Sequence, residues 1–597
     1  MIDGTRLWSA AIHRRFRRSA ESAALFVPPR RRRHSQEANL SVGKAAMNRR
    51  TPKNRRGVVL VLVLVVVVVL ALAGFTFSEL MLVEYKAADL SQRQAQARLC
   101  ADSGLQMVRL FMAQPTETID QLGGWYELAF ANHPGVLVAD SDAAVERGRF
   151  TVVAPTVDEA GNRDVRFGLE DESARLNLMT LLEAENSSPD AARQILLQLP
   201  NMREDTAAAI LDWIDSDDQQ REGGAEIDYY ADLDPPYAPR NGPLETVEEL
   251  LLVRGVTPAL LFGADADHNG VIDPTEAAAD ALAGLDNSGG LMDRGWAAYL
   301  TLYSKEGNLR ADGQPKIDLN SEDLEQLYTD LEQVLGAEAA AFVVAFRQYG
   351  PYTGDRTGGQ SDVPELDFEK QAEHELESVL DLIGAKVEIS TDGGAGGSGQ
   401  GGPGGSGPPG GGQPPGGGPP GDGPPPGDSG QQGNDETESI ILESPFANRP
   451  GTMASFLPNL LENCTTDTRS VIPGRVNINQ APRVVLAGIP EMPEGKVEQI
   501  LAQREPNPTA ADPSRRHATW ILDAGIVTLQ QMKALLPYVT GGGSVYRAQV
   551  VGYFDGGGPS ARIEAILDTT QQPPTVVFWR DLSHLGRGHS PDELGRE

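Results

Sequence analysis

Val58–Phe77 is a run of 20 residues without a charge, apolar apart from Thr76. As a helix rising 1.5 Å per residue it spans about 30 Å, the thickness of a bilayer core. Soluble cores rarely offer such a run. A cleaved secretory signal is shorter and is followed by a small-x-small site that is not clear here. Lys53, Arg55 and Arg56 precede the run, and acidic residues resume after it at Glu79 and Glu84. The positive-inside rule therefore keeps the N-terminus in the cytoplasm and sends the remainder across the membrane. The helical pattern continues from Ser78 to Ala113, with one Gly and no Pro. Leu80, Val83, Ala87, Leu90, Ala97, Ala101, Leu105 and Val108 recur at helical spacing, and Gln94 is the one break. The spacing predicts a single helix over 58–115, half apolar throughout and half amphipathic, with Cys100 as a packing residue.

Charge divides the chain at the same place. Residues 1–57 hold 15 Lys/Arg and 3 Asp/Glu, whereas the rest holds 36 and 81. A body that acidic is a poor binder of polyanions, because nucleic-acid affinity rests on phosphate neutralisation. Two cysteines, Cys100 and Cys464, exclude a disulfide scaffold and a Cys-rich metal site, and leave at most one bridge. The eight His show no metal-ligand spacing, and neither a nucleophile elbow nor a P-loop is present.

Arg55-Arg56-Gly57 directly abuts the apolar run and resembles a type IV prepilin leader. The resemblance implies a peptidase cut between Gly57 and Val58 and methylation of the new N-terminus. Met47 then opens a leader over 47–57, and residues 1–46 read as an upstream mis-start or a basic extension. The fifth mature residue is Leu62, where most pilins carry Glu. An apolar residue there resembles the K-type minor pseudopilins and implies a subunit with none above it.

Beyond the helix, Arg149–Ala154 and Asp164–Leu169 flank the turn at 158–163 and read as two strands. Val545–Phe554, Ala561–Asp568 and Thr575–Trp579 read as three more. The two groups, 145–174 and 541–585, are expected to form one small antiparallel sheet with everything between them inserted, since close chain ends tolerate insertion.

The insertion carries a repeat. Arg175-Leu-Asn177-Leu, Lys316-Ile-Asp318-Leu and Arg475-Val-Asn477-Ile share basic, apolar, Asn/Asp, apolar, and each opens a mainly helical stretch. Asn or Asp suits a turn or helix start, where its side chain accepts backbone N–H bonds. Leu196 to Met202 and Leu486 to Met492 resemble a helix–hairpin–helix or SAM-like pattern, but Asn201 and Glu491 replace the hairpin glycine and acidic neighbours surround both. Protein packing is thus favoured over DNA binding. The expected modules are 175–305, 306–390 and 438–540. A Gly/Pro-rich linker over 391–437, with 21 Gly and 10 Pro in 393–433, divides the second from the third.

The sharpest chemical pattern is Asp265-Ala-Asp267-His-Asn269-Gly-Val271-Ile-Asp273-Pro-Thr-Glu276. Oxygen donors fall at loop positions 1, 3, 5, 9 and 12, glycine at 6 and a carbonyl at 7, as a hard cation with six to eight oxygens requires. Calcium is the expected cofactor, bound by Asp265, Asp267, Asn269, Val271, Asp273 and Glu276 in a loop that stabilises the fold. Asn287–Asp293 reads as a degenerate second loop. Asp212, Asp215, Asp217, Asp218 and Glu226 read as solvated carboxylates with room for a second cation.

Further stretches complete a family resemblance: Ile210–Asp217, Tyr229-Tyr230, Pro235-Pro236-Tyr237, Asn241–Leu244, Glu248–Val256 and Val577–Asp581. With the leader and Leu62 they resemble the minor pseudopilin K family of type II secretion. The resemblance implies an α+β fold: a type IV pilin-like N-terminal helix with a small antiparallel sheet, and a large inserted, mainly α-helical domain. It implies a non-enzymatic protein at the pseudopilus tip that initiates assembly and supports export. Its partners would be the I-type and J-type minor pseudopilins, the major pseudopilin and the prepilin peptidase, with no nucleic acid. It would cross the inner membrane once, with its C-terminal bulk in the periplasm. Two alternatives stand beside it, a DNA-uptake pilin-like protein and a membrane-anchored hydrolase.

Overall fold

The computed structural model describes residues 56–131, 135–157, 163–185, 190–277, 281–356, 366–390, 439–508, 513–590 and 593–594. Residues 1–46, the leader up to Arg55, the turn at 158–162 and the linker over 391–437 lie outside the described residues. The chain divides into two units, Met1–Val83 and Glu84–Glu597.

The apolar run falls in a helix, α1, that spans Arg56–Met112. It is the one helix among the described residues long and apolar enough to cross a membrane. In the first unit its side chains from Val58 to Val83 are all exposed. The amphipathic stripe is shorter than its spacing predicts. Leu80, Val83, Ala87 and Leu90 are exposed, whereas Ala97, Cys100, Ala101, Leu105 and Val108 are buried. Periodicity marks which face can be apolar; only a packed neighbour makes that face a core.

That neighbour, in the second unit, is an antiparallel sheet assembled from both ends of the chain. Its strands are β1 (Val136–Ala139), β2 (Gly148–Val157), β3 (Arg163–Arg166), β4 (Glu170–Asp171), β5 (Val545–Phe554), β6 (Ala561–Asp568) and β7 (Thr575–Asp581). The order is β1-β2-β5-β6-β7, with β3 on β2 and β4 on β5. The expected joining of two distant strand groups is thus observed, for example in the pairing of Val550 with Val152. Alternation fixes the register of the faces. Phe150, Val152, Ala548, Val550, Ile563, Ala565 and Leu567 pack with Ala97, Ala101, Leu105 and Val108 of α1. Helix and strand approach backbone to backbone where they cross: a Cβ on Gly552 would meet the Ala97 carbonyl oxygen and lie 2.7 Å from the Ala101 nitrogen.

The inserted region shares one continuous core that runs from Leu178 to Val539 and is anchored by Trp213, Tyr230 and Trp296. The basic-apolar-Asn/Asp-apolar repeat is a structural clasp. Leu176–Asn177, Ile317–Asp318 and Val476–Asn477 each pair in parallel with a later two-residue strand, Leu300–Thr301, Cys464–Thr465 and Val539–Thr540. Each Asn or Asp side chain accepts from the backbone N–H two residues on, at 2.9 Å in all three. Each closing Thr hydroxyl likewise accepts from the N–H two residues on, at 3.1, 3.0 and 3.2 Å. These are the self-capping turns that Asx and Thr side chains favour.

The clasps correct one boundary. The linker was expected to separate the second module from the third. Instead Ser439–Glu443, which follows it, pairs antiparallel with Lys386–Ser390, which precedes it. Cys464–Thr465 then closes onto Ile317–Asp318. Residues 439–465 therefore belong with the second module, and the third begins at its own motif near Arg475. Composition marks where a linker is, and only strand pairing shows what it joins. Cys464 and Cys100 are both buried and free.

Candidate metal centre

The acidic loop follows a short helix, Pro258–Phe262, and ends in another, Pro274–Ala277. Asp265, Asp267 and Glu276 converge, each offering a carboxylate oxygen within 4.8 Å of the others. Backbone N–H groups hold them in place. Asp265 accepts from Asn269 at 3.0 Å and from Gly270 at 2.9 Å. Glu276 reaches back to accept from Ala266 at 2.8 Å and from Asp273 at 3.1 Å. Gly270 has φ +81°, and a Cβ there would fall 2.7 Å from Pro155. Both the turn and the close approach therefore require glycine.

The other expected ligands are placed differently. Asn269 accepts from the Val271 N–H at 2.6 Å. Asp273 is exposed and accepts from the Thr275 and Glu276 N–H groups at 2.7 and 2.9 Å, which caps the following helix. A position-9 ligand commonly acts through water, so this placement is compatible with a loop of this type. Hard oxygen donors alone, three of them convergent, fit a hard divalent cation such as calcium.

The loop lies against the face of the sheet turned away from α1. Gln549 of β5 donates to the His268 carbonyl at 3.1 Å. Arg562 of β6 donates to the Asp267 carbonyl. Burial pushes Asp265 up from the ordinary carboxylate range. Burial also pushes Asp267 up to about 6, with Arg562 opposing and Asp265 and Glu276 adding. His268 is pushed down to about 4, chiefly by burial. The same sheet face carries a half-buried ion-pair network around the buried carboxylates of Glu172 and Glu564. Arg547 pairs with Glu172 at 2.7 Å and with Glu564 at 3.3 Å, and Arg580 joins Glu564 at 2.9 Å to Glu248 at 2.5 Å. These residues escaped the sequence reading because polar residues alternating with apolar ones usually mark a solvated sheet face. The signal was present as Arg562 and Glu564 alternating with Ala561, Ile563 and Ala565.

The second acidic group is not solvated as expected. Asp212, Asp215 and Glu226 are buried, and only Asp217 and Asp218 are exposed. Arg221 bonds Asp212 at 3.2 Å and also Asp215. Both carboxylate oxygens of Glu226 are buried without a hydrogen-bond partner. Burial, with Asp212 and Asp215 adding, pushes Glu226 up to about 7. In the degenerate loop, the Asn287 amide donates to Asp293 at 2.8 Å. The Asp293 carbonyl accepts from Ala264 and Asp265 at 2.8 and 3.0 Å, tying that loop to the first. Gly57 and Val58 lie at the start of α1, and Leu62 on it is exposed. Asn201 and Glu491 both adopt left-handed backbone, with φ 57° and 62°.

The residues that mark Ile210–Val256 meet in one place. Trp213, on the helix Glu204–Ile214, stacks edge-on against Tyr230 and Tyr237 and donates to Glu249 at 3.2 Å. Asn241 bonds the Asp217 carbonyl at 2.8 Å. A long apolar-to-amphipathic helix, an antiparallel sheet that joins two distant strand groups and a mainly helical insertion between them define a mixed helix-and-sheet class of protein. Residues 174–262 match the family model described as type II secretion system (T2SS), protein K, a segment that contains the Ile210–Val256 stretches that carry the sequence resemblance. No curated protein matches. One similar solved structure is "The Crystal Structure of the GspK-GspI-GspJ complex from enterotoxigenic Escherichia coli Type 2 Secretion System". It shares 10% identity at a TM-score of 0.33, over 82% of this chain and 98% of that chain, and so loose a likeness carries no argument.

Proposed function

We propose that this chain is a non-enzymatic minor component at the tip of a type II secretion pseudopilus. The observation that carries the reading is the protein K match over 174–262, set in an insertion between two halves of a pilin-like sheet. In this reading α1 anchors the protein once in the inner membrane and the acidic body lies in the periplasm. The prepilin peptidase cuts between Gly57 and Val58. Leu62 suits a subunit that has none above it to pair with. I-type and J-type minor pseudopilins and the major pseudopilin pack beside α1, and the hairpin modules of the insertion serve protein packing, not nucleic acid. Calcium binds the Asp265–Glu276 loop and ties the insertion to the sheet.

Co-purification of the full chain in detergent with I-type and J-type minor pseudopilins tests the assembly reading. A stable complex is expected, and monomeric behaviour with every candidate would overturn it. Calorimetry tests the loop: calcium binding is expected in the native chain and abolished in Asp265→Ala.

A further inference from the structure

Strand β6 directs Arg562 away from α1 and towards the acidic loop. Its side chain is fully buried. Nη2 donates to the Asp267 carbonyl, and Nη1 lies 3.9 Å from the Asp267 carboxylate. Nε and Nη1 have no hydrogen-bond partner. Gly588 closes over the guanidinium so tightly that a Cβ there would overlap Nη1. The group therefore has little freedom to swing towards water. A buried cation with unmade hydrogen bonds is costly unless charge compensates it. The negative charges nearest in effect are those of the loop, Asp267 and then Asp265, with Glu564 after them, while Arg580 repels it. The loop has the converse problem, since three carboxylates converge within 4.8 Å.

We propose that Arg562 is the resident counter-cation of the Asp265–Asp267–Glu276 loop, holding it folded without metal and lowering its affinity for calcium. The proposal rests on the calcium reading of the loop. A divalent ion and the guanidinium compete for one carboxylate, Asp267, and they repel each other in proportion to the product of their charges. The single bond from Arg562 to the Asp267 carbonyl helps preform the loop, but that is one charge-assisted hydrogen bond against a like-charge contact at short range. The net effect is a loop that needs calcium less and binds it more weakly. Because Arg562 sits in β6, binding at the loop is also felt by the sheet.

The test is calcium titration by calorimetry on the full chain in detergent, stripped with chelator, at low salt. R562M should bind calcium about tenfold or more tightly than the native chain, whereas R562K, which keeps the charge, should stay within about threefold. R562M should also melt earlier in chelator and recover in excess calcium. If the native chain binds calcium and R562M binds equally or more weakly, the counter-cation proposal falls and the calcium reading stands. A gain shared by R562K would place the effect in packing and would also overturn it. If the native chain binds no calcium, both readings fall together. Should R562M not fold, R562Q replaces it, since it keeps donors for the Asp267 carbonyl. Failure of both to fold in excess calcium would overturn the proposal, because the metal would then not replace the guanidinium.

Discussion

Asn201 and Glu491 occupy the same turn position in two repeats, both with left-handed backbone. A non-glycine residue there costs roughly 1 kcal/mol. The two solve the cost differently. Asn201 exchanges two hydrogen bonds with the Asp286 backbone, at 2.8 and 2.9 Å. Glu491 is exposed. Glu491→Gly should therefore stabilise the fold by about 0.5–1 kcal/mol, whereas Asn201→Gly should destabilise it by about 1–2 kcal/mol. Chemical denaturation reads both, and a loss of stability in E491G would contradict the account. Glu226 supplies a pH signature. Its carboxyl sits at about 7 in the folded protein against an ordinary 4.5. The folded state then retains a proton that the unfolded chain releases, so this group's contribution is greatest below 4.5 and is lost as pH rises through 7. Thermal melts in chelator should show native stability falling over that window relative to Glu226→Gln. Parallel curves for the two proteins would refute the assignment.

At the scale of elements, the contact between α1 and β5 depends on missing side chains. At Gly552 the obstacle is helix backbone, the Ala97 carbonyl and the Ala101 nitrogen, and backbone cannot rotate aside. At Gly104 the obstacles are side chains, Val550 at 2.5 Å and Phe150 at 2.7 Å, which can yield. Gly552→Ala should cost about 2–3 kcal/mol and exceed the cost of Gly104→Ala, measured as the shift in unfolding midpoint. Equal costs would mean that the helix can lift off the strand without penalty. The helical spacing of Ala97, Ala101 and Leu105 was legible in the sequence. That burial begins only near Ala97 was not, because Leu80 to Leu90 show the same period without a partner.

For the molecule as a whole, Ser390 and Ser439 are paired across the Gly/Pro-rich segment. Residues 391–438 number 48. Replacing them with a four-residue turn shortens the loop about twelvefold, which should stabilise the body by roughly 2 kcal/mol in loop-closure entropy. A higher melting temperature with unchanged secondary structure is expected. Unfolding on excision would show that the segment does more than join two strands.

What the sequence determined alone is whatever lies within a few turns of chain. The membrane-length helix follows from 20 uncharged residues, and the acidic loop from donors held within one short segment. The Asn/Asp turns of the three repeats follow from side chains that bond their own backbone. Tertiary structure decided everything that depends on residues hundreds apart. It joined β2 to β5, closed the second module across the linker, and buried Glu226 among like charges. It also set Arg562 against Asp267. The physical reason is that local patterns report what a segment can satisfy by itself. Burial and Coulomb fields depend on which surface the chain brings back to cover it.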